Sequence, residues 1–296
     1  MKRPFYRIAL PIIAGTMLLF TACEKALDNI TETTTSAEDL VAAESAMASA
    51  FDVVDDIAST DGRVLKGGST LLPAGAKVVF SDSVFYDGDG VDFTIDFGPY
   101  NPNAPVNGLL CADGKFRAGT VQINVNKPYS ELSSVVTATF PTVHPYYVGT
   151  GATSTMTKVL GSLVATRTGA ETATLEVNNA SITNLEGTST FTSIKNFKRT
   201  AGNGDAGCYG DMYEVTGNGS GTNHNGEEYE MEITETLVKK IQDGCANTFV
   251  SGVIALKNKG ASGVLTIDFD PAKEAACDSQ VEVTLPGGVK KTFELR

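Results

Sequence analysis

Glu228-Tyr229-Glu230-Met231-Glu232-Ile233 alternates a carboxylate with an apolar side chain at every step. Successive side chains of an extended chain point to opposite faces, so this stretch reads as a strand with one wet and one buried face. Just upstream, Asn223-His224-Asn225-Gly226 supplies hairpin-turn chemistry, because asparagine and glycine tolerate a positive φ. The pattern continues in both directions. Phe93-Thr94-Ile95-Asp96-Phe97, Thr120-Val121-Gln122-Ile123-Asn124-Val125, Thr174-Leu175-Glu176-Val177 and Val281-Glu282-Val283-Thr284-Leu285 all alternate with period two. Asn178-Asn179, Gly202-Asn203-Gly204-Asp205 and Gly217-Asn218-Gly219-Ser220-Gly221 stand between such runs and read as turns. Short connections without parallel crossovers predict a mainly β class, an antiparallel β-sandwich or an extended β-meander, over residues 61–296.

One segment departs from this period. From Ser36, Leu40, Met47, Phe51, Val54 and Ala58 recur at helical spacing through alanine-rich sequence. Glu38, Asp39, Glu44, Asp52, Asp55 and Asp56 fall largely off that stripe, which predicts a single amphipathic N-terminal α-helix over residues 36–60, laid against one side of the sheet. Within the β region Phe93-Thr94-Ile95-Asp96-Phe97 followed by Cys111 is echoed by Leu265-Thr266-Ile267-Asp268-Phe269 followed by Cys277, as two related β-units would produce.

The N-terminus has the three parts of a secretory signal: basic Lys2, Arg3 and Arg7, an apolar run from Ile8 to Phe20, and small Thr21 and Ala22. The run is shorter than the roughly 20 residues a membrane span needs, so residues 1–22 are expected to be removed. Leu19-Phe20-Thr21-Ala22-Cys23 looks like a bacterial lipobox with Phe20 where leucine is usual, which makes Cys23 the expected lipidation site and residues 23–35 a polar, threonine-rich lipidated tether. Multiple acyl chains hold a protein on a membrane stably, so the membrane is a partner through this lipid.

Lys plus Arg number 23 against 35 Asp plus Glu, a formal charge of −12 that becomes about −15 once Lys2, Arg3 and Arg7 are removed. No basic stripe is present, and nucleic acid is not an expected partner. The cysteines beyond Cys23 are Cys111, Cys208, Cys245 and Cys277, an even number in an exported chain, where disulfides are the default. Cys245 and Cys277 flank a hairpin expected from Phe249 to Phe269, so their pairing is the first choice and leaves Cys111 with Cys208. Cys111 with Cys277 and Cys208 with Cys245 is the competing arrangement.

The chemistry of known sites is thinly represented. There is no Gly-x-Ser-x-Gly elbow for a serine hydrolase, and Ser220 with His224 has the wrong setting for one. Without Cys-x-x-Cys or a histidine cluster, no transition-metal site and no cofactor are expected. Asp87-Gly88-Asp89-Gly90-Val91-Asp92 alternates carboxylates as calcium turns do, which makes Asp87, Asp89 and Asp92 the weak metal candidates, although Gly98 stands where an EF-hand needs glutamate. Asp205, Asp211 and Glu214 form a second acidic group. Among aromatics that could stack on a ligand, Tyr146 and Tyr147 are the candidates, and tryptophan is absent.

Taken together, the Cys23 lipobox, Ala42-Ala43-Glu44-Ser45, Phe51-Asp52-Val53-Val54, the Thr94-Ile95-Asp96-Phe97-Gly98 strand, Cys111-Ala112-Asp113-Gly114-Lys115-Phe116-Arg117-Ala118-Gly119 and the ending from Cys245 to Cys277-Asp278 resemble a group of uncharacterised Bacteroidota lipoproteins of this size. The resemblance covers most of the chain and brings no activity with it. It implies an outer-membrane location, and Glu24 and Lys25 after Cys23 favour the cell surface over the periplasmic face. The expected function is a non-catalytic cell-envelope lipoprotein that binds, shields or scaffolds an envelope protein or glycan. The alternatives are an extracellular hydrolase or lyase, or a sugar- or protein-binding accessory module of a nutrient-uptake system.

Overall fold

The computed structural model describes residues 20–58, 72–104, 106–153, 156–202, 210–242, 249–278 and 280–294. Helix α1 spans Phe20–Ala58, 39 residues without a single glycine or proline, the two residues that most disfavour a helix interior. It passes through the threonine-rich residues 31–35, and Thr34 and Thr35 are buried within it. The stretch that composition marks as a polar tether is thus helical.

Strands follow in chain order: β1 (Lys77–Asp82), β2 (Val91–Asp96), β3 (Leu109–Leu110), β4 (Phe116–Ala118), β5 (Thr120–Val125), β6 (Val135–Phe140), β7 (Tyr146–Gly149) and β8 (Thr157–Arg167). The longer second half comprises β9 (Thr172–Thr183), β10 (Thr188–Ala201), β11 (Met212–Thr222), β12 (Glu228–Lys240), β13 (Phe249–Asn258), β14 (Leu265–Asp268), β15 (Gln280–Thr284) and β16 (Lys290–Glu294). They form one antiparallel sheet in the order β1-β2-β5-β6-β8-β9-β10-β11-β12-β13-β14-β15-β16, with β3, β4 and β7 branching from β8. The meander expectation is the one the structure takes. A sandwich would need two sheets, and among the described residues there is one.

A sheet this large has an apolar inner face that must be covered, and α1 covers it. Between Thr34 and Ala58 every helix side chain is buried except Glu38, Ala42, Ser45 and Ala48, which are half-buried and lie three or four residues apart on a single face. The helix also touches distant parts of the sheet, from Arg117 on β4 to Lys195 on β10, Lys239 on β12 and Lys291 on β16. The sheet therefore curves around the helix, and the expected two-faced helix lying on one side is replaced by one enclosed on all sides but one.

The curvature has a local origin in β-bulges, which bend and twist a strand. Register shifts interrupt β8–β9 at Leu160/Ser162, β11–β12 at Val215/Asn218 and β12–β13 between Ile233 and Lys239. Two of the expected turns are in fact such irregularities inside long strands. Asn178-Asn179 lies within β9, and Gly217 to Gly221 within β11, because a positive φ serves a bulge as well as a turn (Asn179 φ 48°, Gly217 φ 143°). Asn223 to Gly226 does form the β11–β12 turn, with the Asn223 carboxamide oxygen accepting from the Asn225 and Glu227 amides at 3.0 and 2.9 Å. The hairpin expected from Phe249 onward forms as β13 and β14, with Leu256 opposite Leu265.

Gly252 shows how tightly the bulged backbones approach. Its φ is +109°, and a Cβ there would meet the Thr236 carbonyl oxygen at 2.5 Å, whereas Gly287, at φ +99°, has nothing within 4 Å. Gly252→Ala should lower the unfolding free energy by at least about 2 kcal/mol, combining backbone strain with the clash, and Gly287→Ala by about 1 kcal/mol. Chemical denaturation of both variants checks this, and equal losses would mean that the β12–β13 approach is not a constraint.

Candidate functional site

The acids of α1 are not solvated. Glu44 pairs with Lys195 of β10, and Asp52 with Lys239 of β12 at 2.6 Å, all four side chains being almost fully buried. Asp39 accepts from the backbone N–H of His224 at 2.7 Å and lies 2.9 Å from its Nδ1, so the β11–β12 turn is tied to the helix. Asp55 accepts from the Tyr129 hydroxyl on the β5–β6 connection. Near the middle of the helix, Arg117 donates to Asp113 through both terminal nitrogens (2.7 and 2.5 Å), to the Ser49 hydroxyl at 2.6 Å and to the Tyr146 hydroxyl at 3.0 Å. These links tie the helix to strands and to the turns between them, and Arg117 ties the β3–β4 turn to β7.

Burial decides the electrostatics here. It pushes Asp52 up to about 6, with Lys239 only partly offsetting it, and Asp55 also to about 6, with the Tyr129 hydrogen bond opposing. At Asp113 burial acts upward too, but the hydrogen bonds and charge of Arg117 hold the carboxyl below its ordinary value.

Several residues singled out by sequence belong to this interior or to plain surface. Tyr146 is fully buried, packed on Phe97 and Phe140 and bonded to Arg117, which removes it as a ligand platform. Tyr147 is half-buried and stacked on Tyr100 at 4.2 Å. Asp87 and Asp89 do come together, but their third partner is Asp82, all within 4.8 Å, while Asp92 instead accepts from the Asn124 carboxamide at 3.0 Å. The β1–β2 pairing, which sets Asp82 opposite Asp92, brings Asp82 back to this turn. Asp211 accepts from the Tyr213 hydroxyl at 2.8 Å, Glu214 pairs with Lys198 on the surface, and Asp205 lies outside the described residues. Ser220 is exposed on β11, while the ring of His224 is held by Asp39, so they do not form a nucleophile and base.

Cys111 is a free, buried thiol whose Sγ lies 3.7 Å from the Leu109 carbonyl oxygen. The expected Cys111–Cys208 bridge is therefore absent, and so is the competing Cys111–Cys277 pairing. The β3–β4 turn packs this thiol beside Arg117 and Asp113, away from any cysteine of the described residues, and burial pushes its pKa up. Cys208 and Cys245 lie outside the described residues, and Cys23 is described only as part of the helical backbone.

The helix face that the sheet leaves open forms one wall of a groove of about 680 Å³. Ala42, Ser45 and Ala46 form its floor, Lys291 and Phe293 of β16 one side, and Val148 and Gly149 of β7 the other. Leu185, 81% exposed on the β9–β10 turn, stands at its rim. Lys291 reaches Glu38 at 3.1 Å and lies over the Phe293 ring at 4.7 Å. Lys115, from the β3–β4 turn, also lines the groove, where burial pulls its ammonium down to about 8. Sequence reasoning quoted Asp113, Lys115 and Arg117 without seeing that one turn would bring them together beneath the helix.

The buried pairs make two testable statements. Removing one member of a buried pair strands the other charge, so Lys239→Met should cost about 3–5 kcal/mol, while Asp52→Leu with Lys239→Met should recover most of that loss. A double-mutant cycle by denaturant unfolding measures this, and strictly additive losses would contradict the coupling. For Asp55 the folded-state value near 6 exceeds the ordinary 3.8, so the folded protein takes up the proton first. The stability associated with this group is fully present below about 3.8 and is lost as pH rises through about 6. The stability of wild type relative to Asp55→Asn should accordingly rise as pH falls from 7 to 4, and a flat difference would contradict the burial of that carboxyl.

Compared with protein-family models, with curated proteins and with solved structures, this chain has no match.

Proposed function

We propose that this chain is an exported lipoprotein, acylated at Cys23 and held at the outer membrane, whose β-rich body binds an envelope component without catalysing a reaction. The observation that carries the binding reading is the groove between α1, β7 and β16, where Glu38, Ala42 and Ser45 of the otherwise buried 34–58 stretch of the helix meet solvent. Glu44 and Asp52 beneath it are engaged in helix-to-sheet pairs and Asp113 is held by Arg117, so these carboxylates hold the wall of a groove rather than converge as acid and base.

The anchor reading is supported by the lipobox, by the resemblance to Bacteroidota lipoproteins and by the run of α1. Helical backbone is continuous from Cys23 to the buried part of the protein, and at about 1.5 Å per residue it would carry Ser36 some 20 Å from the acylated end. Among the described residues no helix is long and apolar enough to cross a membrane, and the lipid would supply the attachment. The proposal includes a Cys245–Cys277 bridge: Gln242, three residues before Cys245, donates to Cys277 Sγ at 3.7 Å, and Lys240 reaches the Ala275 carbonyl at 3.2 Å.

Cys23→Ala is expected to shift the protein from the detergent phase to the aqueous phase on partitioning of cell envelopes, with loss of labelling by a radiolabelled fatty acid. Unchanged partitioning and labelling would sink the lipoprotein reading.

A further inference from the structure

The charge balance within the β3–β4 turn, which borders the groove through Lys115, is uneven. The β3–β4 turn brings one carboxylate, Asp113, between two cations, Arg117 and Lys115. Arg117 takes that carboxylate through two hydrogen bonds and is itself completely buried. Lys115 has no ion pair or side-chain hydrogen bond among the described residues, unlike Lys195 and Lys239, which are matched to helix carboxylates. It is half-buried and shares the groove with small or apolar Ala42, Ser45, Ala46, Val148 and Phe293; of the carboxylates that also line it, Glu38 is paired with Lys291, Asp39 is engaged by His224, and Glu186 is exposed on the β9–β10 turn. A half-buried cation whose nearby carboxylate, Asp113, is taken by Arg117, in a groove that also offers apolar side chains, is complementary to a molecule with one anionic head and an apolar body.

We propose that the groove binds an amphipathic monoanion, with its carboxylate-type head on the Lys115 ammonium and its apolar body along the Ala42–Ala46 face of α1 toward Phe293. This inference rests on the reading of the groove as the binding surface and adds the chemistry of its ligand. Lys115 is not a spare structural charge in this view; it supplies the head-group contact.

The pH dependence follows from the groups around it. Asp113 and Arg117 act on Lys115 from its own turn, and the other charged groups that line the groove are Glu38 and Asp39 of the helix, Lys291 of β16 and Glu186 of the β9–β10 turn. Only Lys115 among those with a resolved shift changes charge just above neutrality, at about 8. Head-group affinity should therefore be full below that value and fall as pH rises through it.

The experiment uses the purified mature chain, the neutral fluorophore N-phenyl-1-naphthylamine as a reporter of the groove, and octanoate against 1-octanol as competitors. The reporter should brighten with wild type and fail to do so with Ala42→Leu, which fills the floor; brightening that is the same for both would remove the groove reading itself. With the groove established, octanoate should displace the reporter at a concentration at least about tenfold lower than octanol, although octanol is the more apolar molecule. Lys115→Met, which keeps the length of the stem, should abolish that preference together with its decline above pH 8 while still brightening the reporter. Equal displacement by octanoate and octanol on wild type, or an octanoate preference that survives Lys115→Met, would overturn the anion assignment and leave the groove standing.

Discussion

Enclosure of α1 within the curved sheet is the constraint on which the remaining structure depends. A strand face carrying Lys195 or Lys239 could not be buried against an apolar partner, because an isolated charge in a protein interior costs several kcal/mol. A helix carrying Asp39, Glu44, Asp52 and Asp55 could not be buried against an apolar sheet for the same reason. Each surface is tolerable only in the presence of the other. A slip of the helix by one residue would move it 1.5 Å and rotate it by about 100°, separating Glu44 from Lys195 and Asp52 from Lys239 together, so the pairs fix the helix in one register. Apolar contacts such as those of Leu40, Met47 and Ile57 supply driving force but tolerate sliding far better.

The strands were legible because period two is a direct consequence of extended geometry, and Glu228 to Ile233 displays it without ambiguity. In β12 the carboxylates of Glu228, Glu230 and Glu232 are exposed, and Tyr229 and Met231 are buried. The helix was legible as well, but its environment was not. Reading Asp52 and Asp55 as the wet face assumes that carboxylates seek water, and the assumption fails when the strands bring cations. A signal for this existed. Lys195 stands in phase with Phe191 and Phe197, and Lys239 in phase with Leu237 and Ile241, so alternation alone places both lysines on the inner face. An inward lysine demands a buried acid, and the helix holds the available supply.

Glycine and asparagine were the less informative letters. Both announce a positive φ, which a hairpin turn and a bulge share, and only the pairing of neighbouring strands separates the two. At Asn223 to Gly226 the chain reverses, whereas at Gly217 to Gly221 it continues, and Gly221 leaves room for the Tyr229 ring beside it. Tyr146 was misleading for a related reason. An aromatic pair after His144-Pro145 resembles a ligand platform, but alternation sends Tyr146 inward to Arg117 and leaves only Tyr147 near the surface. The groove was illegible altogether, since it is bounded by residues from both ends of the chain that meet only when the sheet has curved.

That curvature also explains why the groove is where it is. Among the described residues the sheet does not close on itself: its last strand, β16, and the β3–β4–β7 branch approach opposite sides of the same helix face. An open sheet without a helix would expose its inner face, so the helix fills the interior and shows a narrow strip at the gap. On that strip Glu38, Ala42, Ser45 and Ala48 are small or charged, which keeps exposed apolar area low while leaving depth for a guest. Anything seated there touches α1, β7 and β16 at once, and α1 is itself held to β10 and β12 by the buried ion pairs. Occupancy of the groove and the integrity of those pairs are thereby linked, because the wall a ligand would press upon is the same helix that the lysines of β10 and β12 hold in register.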